Sequence, residues 1–153
     1  MSNIQHRKTF EHKKTQKIFT NPVINEILNY CDGILSGGSA RKIFNNEDVI
    51  EYVSKDRGDI DFYFRNEADY TKALGVLKKH NLSTSDSPTG ICVEATIQIK
   101  NGRPNVFGHQ YAYCKLQLIK IYGSPFEIFK GFDFTNYKVA YTKDAVFYDN
   151  SIA

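Results

Sequence analysis

Apolar and polar positions along this chain repeat with two different periods. Val23, Ile24, Ile27 and Leu28 recur at helical spacing behind Asn21-Pro22, a cap residue followed by proline at the first helical position. A second helical pattern covers residues 66–80, with Tyr70, Ala73, Leu74 and Leu77 on one face. Residues 59–64 read DIDFYF and alternate acid with apolar or aromatic, which is strand spacing. Residues 91–99 and 112–122 are rich in β-formers and predict two long strands, with Asn101-Gly102 between them as a tight-turn signal. Shorter elements fill the gaps: a strand over residues 33–36, a helix opening at Ala40-Arg41-Lys42, and a helix over 48–54 with Asn46 as a candidate cap. Ser124-Pro125-Phe126-Glu127 has capping-box spacing, and residues 132–141 read as a further strand. Residues 1–20 read as a basic arm or helix, and residues 143–153 carry no clear element. The predicted class is α/β of the α+β kind: one domain over residues 21–153, a mixed sheet flanked by helices.

Composition narrows this little. The 153 residues suit one domain, and 41% hydrophobic with 24% charged is ordinary for a globular protein. No apolar run approaches the length of a membrane span, and the polar, basic N-terminus lacks the apolar core of a secretion signal. Three widely spaced cysteines, Cys31, Cys92 and Cys114, argue for reduced thiols and a cytoplasmic setting, and they lack the pairing of a structural zinc site. The expectation is a soluble protein with no membrane partner.

Charge adds one asymmetry. Residues 1–20 carry five basic side chains (Arg7, Lys8, Lys13, Lys14, Lys17) and only Glu11 as an acid, while the rest holds 15 basic and 16 acidic residues. Such an arm can contact the phosphates of RNA or DNA, or can be a solvated basic face.

Two features carry candidate chemistry. Gly37-Gly38-Ser39 breaks a strand and leads into a helix, with Arg41 and Lys42 close behind. Glycine lets backbone N–H groups approach a phosphate, a helix N-terminus favours the anion, serine adds a hydroxyl, and the basic residues offset charge. A plain loop is the alternative. The second feature is Asp59-Ile60-Asp61. Residues two apart on a strand face the same side, so both carboxylates point together, at a cost unless a cation lies between them. A polar edge face is the alternative here.

In this order, the Gly-Gly-Ser turn and the aspartate pair resemble the signature of the DNA polymerase β-like nucleotidyltransferase superfamily. The segment CKLQLIKIYGSPFEIFKGFDFTNYKVAY is similar to the strand, short helix and FD-containing strand of uncharacterised nucleotidyltransferase-like proteins of phages and large DNA viruses. The resemblance runs from about Gly33 to Tyr141, with a longer gap between Ser39 and Asp59 than in compact members. It implies a nucleotidyltransferase-like fold. It implies that Gly37, Gly38 and Ser39 hold the triphosphate of a nucleoside triphosphate, with Arg41 or Lys42 balancing its charge. It implies that Asp59 and Asp61 hold Mg2+ or Mn2+, and that a nucleoside monophosphate passes to a hydroxyl of an RNA, protein or small-molecule acceptor. The third carboxylate of the superfamily is replaced at its natural position by Gln117; Asp133 is the next candidate for catalysis and metal binding, and Glu94 follows. Asp133 is equally readable as a buried carboxylate with a structural partner. Two rivals stand beside the enzyme: a degenerate module that binds nucleotide or nucleic acid without chemistry, and a toxin or host-takeover protein of a phage, working in the host cytoplasm.

Overall fold

The computed structural model describes residues 5–9, 17–54, 58–100, 111–132 and 138–149. Their strands are β1 (Gln5–Thr9), β2 (Ile34–Ser36), β3 (Ile60–Phe64), β4 (Ser85–Asp86), β5 (Cys92–Lys100), β6 (Tyr111–Tyr122), β7 (Val139–Tyr141) and β8 (Ala145–Asp149). The helices are α1 (Pro22–Asn29), α2 (Gly38–Phe44), α3 (Val49–Ser54), α4 (Glu67–Lys79) and α5 (Pro125–Phe129), with a 3-10 turn over Lys17–Thr20. The strands form one mixed sheet in the order β1-β8-β7-β2-β3-β6-β5-β4. Among these neighbours only β3 and β6 run parallel. This is the mixed sheet with helices that the periodicity predicts.

The two faces of the sheet are built differently. Ile60, Phe62 and Phe64 of β3 alternate inward, together with Leu116 and Leu118 of β6, and meet Val23, Ile24, Ile27 and Leu28 of α1 and Tyr70, Ala73, Val76 and Leu77 of α4. The opposite face carries a small aromatic layer. Phe129 of α5 packs with Ile34 and Ala140, and Phe126, Phe132, Phe147 and Tyr63 close around it. That layer covers the β8–β7–β2 half and stops at β3. No helix among the described residues is long and apolar enough to cross a membrane.

Local signals hold at several helix starts. Asn21 caps α1, its Oδ1 accepting from the N–H groups of Val23 and Ile24 at 3.0 and 3.2 Å. Ser124 and Glu127 form the capping box of α5. Four readings change. Asp48, not Asn46, caps α3, because its Oδ1 takes the N–H groups of Ile50 and Glu51 while Asn46 sits at φ +62° closing α2. Helix α2 begins at Gly38, two residues earlier than expected. Gln5–Thr9 is an edge strand paired antiparallel to β8 rather than a helix, and β8 itself lies in a segment with no clear sequence pattern. The strand expected over 132–141 is described only as Val139–Tyr141, with Phe132 in a turn after α5. The Asn101-Gly102 turn lies outside the described residues.

Asn21 also donates from its side-chain amide to the Gln98 carbonyl at 3.0 Å, which ties α1 to β5. Asn21→Ala should lower stability by about 1–2 kcal/mol, read as a reduced urea midpoint at unchanged slope. Asn46→Ala, which leaves the Asp48 cap of α3 in place and costs only the left-handed φ at the end of α2, should have a smaller effect.

Candidate nucleotide and metal site

The site forms where β2, the turn into α2 and β3 meet. Ser36 and Asp61 are register partners on neighbouring strands, so chain leaving β2 turns directly beside the Asp61 carboxylate. Gly37 makes the turn at φ +81°, a left-handed conformation that favours glycine. A side chain there would place its Cβ 2.9 Å from Asp61 Oδ2. The glycine therefore serves both the backbone geometry and the close approach of backbone to carboxylate. The next residues open α2 with no side-chain cap, so the first N–H groups of the helix emerge next to the aspartates.

Ser39 is fully buried, and its hydroxyl donates to the main-chain carbonyl of Asp59 at 2.5 Å. That bond fixes the start of β3 against α2. It also commits the hydroxyl hydrogen, so what Ser39 can still offer an anion is its backbone N–H. Lys42 pairs with Glu47, its Nζ 3.3 Å from the carboxylate, and lies 5.3 Å from the centre of the Tyr52 ring. Arg41 lies on the same helix and is partly buried. Asp133 lies outside the described residues. The structure thus gathers Gly37, Ser39, Asp59 and Asp61, with Gly38 beside them, and sets Lys42 over the Tyr52 ring that flanks the same turn.

Asp61 carries the electrostatic tension of the site. Among the described residues its Oδ1 is buried without a hydrogen-bond partner. Burial pushes its carboxyl up to about 7, and the charge of Asp59 adds to the rise. The neighbouring Tyr63 phenol is pushed up to about 12, first by burial and then by Asp61. An orphaned buried oxygen, a second carboxylate close enough to repel it and a glycine backbone pressed against it form a donor set that fits a divalent cation. Among the described residues no three His, Cys, Asp or Glu side chains gather to hold a metal ion.

Gln117 sits in register with Asp61 across the parallel β3–β6 pair, and Glu94 is in register with Gln117 across β5–β6. The Gln117 amide donates to Glu94 Oε1 at 2.9 Å. That bond takes one of the two amide N–H groups, which leaves Gln117 its other N–H and its amide oxygen to offer. Residues 9–152 match the family described as Gabija anti-defense 2 family protein. The chain belongs to the Gabija anti-defense 2 family. The match takes in every element from the 3-10 turn to β8, and so all the described site residues of this Gabija anti-defense 2 member. No curated protein and no solved structure matches the chain.

Sequence reasoning missed Tyr52. Its ring fills the space that a Cβ at Gly38 or Gly58 would need, so a phenol from α3 walls the turn and the entry to β3. Gly58, directly before the aspartate motif, was the available signal.

A carboxyl whose folded value lies above its ordinary 3.8 binds more protons in the folded chain than in the unfolded one. The contribution of Asp61 is therefore most favourable at low pH and declines as pH rises from its ordinary value to about 7. Without metal, Asp61→Asn should raise stability at pH 8 by about 1–2 kcal/mol, below the full worth of the shift because water partly reaches the carboxylate. It should also flatten the pH dependence of melting between 4 and 7; a loss of stability at pH 8 would contradict the assignment.

Proposed function

We propose that the protein is a phage host-takeover factor, acting in the host cytoplasm against a Gabija-type defence through metal-dependent nucleotidyl transfer at Asp59 and Asp61. Its membership of an anti-defense family supports the first half. The observation that carries the second is the buried, unpartnered Asp61 oxygen beside Asp59, under a glycine turn that opens a helix. The mixed sheet, with the aspartates on an inner strand, suits the polymerase β-like resemblance.

In this reading Asp59 and Asp61 hold Mg2+ or Mn2+, which would draw charge from the phosphates and favour the ionised form of the attacking hydroxyl. The backbone of Gly37, Gly38 and Ser39 presents N–H groups to the triphosphate at the positive end of α2. Ser39 keeps β3 and α2 in fixed relation through the Asp59 carbonyl. Tyr52 packs along the side of the turn. The acceptor oxygen bonds to the α-phosphorus, the bond from that phosphorus to the bridging oxygen breaks, pyrophosphate leaves, and the hydroxyl proton passes to a carboxylate of the site.

One observation favours a second reading, nucleotide binding without transfer. The position beside Asp61 that would carry a third carboxylate holds Gln117, tied to Glu94.

Both readings predict that Mg2+ or Mn2+ raises the melting temperature of the wild type and not that of Asp59→Asn/Asp61→Asn. Only the first predicts that α-phosphate-labelled nucleoside triphosphate leaves label on a protein or nucleic-acid acceptor, with a loss of at least about 100-fold in the double variant. Metal stabilisation and nucleotide binding without transferred label would establish the second reading. An equal metal response in the double variant would overturn both.

A further inference from the structure

The face of the sheet that holds Asp61 is not covered throughout. The aromatic layer under α5 ends at β3, and beyond it β6 and β5 turn a row of side chains to solvent. Along β6 the outward positions are Gln117, Lys115, Tyr113 and Tyr111, while Leu116, Cys114 and Ala112 point into the core. Tyr113 is 67% exposed and Tyr111 52%, unusual for two large rings on one strand face. Among the described residues neither ring packs against another ring. Across the pairing, Gln98 lies opposite Tyr113 and Thr96 opposite Lys115. The sequence therefore sets two aromatic platforms, one cation and flanking hydroxyl and amide groups in a line that ends at the carboxylates.

We infer that this β6 face is the track for a single-stranded nucleic acid, whose bases stack on Tyr113 and Tyr111, whose phosphate meets Lys115, and whose terminal hydroxyl reaches the Asp59–Asp61 site as the acceptor. The inference rests on the nucleotidyl-transfer reading only for that last clause.

Three features favour this occupant. Outward side chains two apart on a strand are separated by about 6.8 Å, room for successive splayed bases of an extended strand but not for stacked base pairs. Tyrosine rings half or more exposed offer π-faces to any base, and a lysine between the rings and the site suits the phosphate of the nucleotide nearest the reaction. The track is also continuous with the proposed site, since Lys115 precedes Gln117 by two positions and Gln117 is the register partner of Asp61. The basic residues of β1 cannot serve this path, because β1 lies four strand spacings from β3, roughly 19 Å.

The test is fluorescence anisotropy of the full chain with labelled oligouridine and oligothymidine of about 12 nucleotides, without metal or nucleotide, so that binding is read apart from chemistry. Both strands should bind, since base faces and phosphates read no 2′-hydroxyl, and a blunt duplex should bind much more weakly. Tyr113→Ala should weaken binding about 5- to 100-fold and Tyr113→Phe about twofold at most, both with an unchanged urea midpoint. Lys115→Gln should reduce the slope of log affinity against log salt by about 0.7. Equal affinity of Tyr113→Ala and wild type, or no binding of either strand, would overturn the inference. Labelled transfer to a protein acceptor in that case would leave the nucleotidyl-transfer reading standing and move the acceptor off β6.

Discussion

An ionisable carboxyl buried on an inner strand is costly in any fold, and here the cost sits at Asp61. Its Oδ1 is buried, no described side chain donates to it, and Asp59 adds a like charge. A chain selected for stability alone would place an amide or an apolar residue there. The surroundings instead hold the carboxyl in place. Gly37 closes over it, Ser39 fixes the strand that carries it, and Tyr52 packs the outside of the same turn. Together these contacts fix the Asp61 carboxyl against the turn and the strand that carries it.

The partition of the sheet follows from the same requirement. The face packed against α1 to α4 is continuous and apolar, so it can supply most of the burial that stabilises the domain. The other face needs only enough aromatic packing to seat α5 and to seal the β8–β7–β2 half. Extending that layer over β6 would close off what stays open of the half-buried Asp61. The edge strand β1 closes the sheet on the far side with a polar sequence. Its His6 stacks on Tyr148 at 4.6 Å, and the cations of Arg7 and Lys8 lie over Phe147 and Tyr148. Charge on an edge strand discourages pairing with another chain, and part of the basic character of the N-terminus has that local use.

Much of this was legible because the strongest signals were periodic. DIDFYF could only place its aspartates on one face and its aromatics largely on the other, and α1 and α4 showed their buried stripes, α1 together with its cap. What escaped was set by contacts between residues distant in sequence or by conformations without a distinctive pattern. The left-handed φ of Gly37 moved the start of α2 forward, and Asp48 outcompeted Asn46 because its side chain reached two N–H groups. Strands β1 and β8 were missed because they specify each other by pairing, and neither alternates cleanly on its own.

Gln117 shows how one atom type sets the character of the site. A carboxylate there would put a third negative charge beside Asp61, whose ionisation already suffers from burial and from Asp59. The amide avoids that repulsion, and its N–H is drawn to Glu94, one strand farther from the aspartates. Two carboxylates balance the charge of one divalent cation, whereas a second cation needs anionic ligands the described residues do not supply. Under the proposed reading those ligands come from the phosphates of the nucleotide, so binding of nucleotide and completion of the site become a single event. The amide oxygen then contributes direction rather than charge, which suits a site that must stay intact when nothing is bound to it.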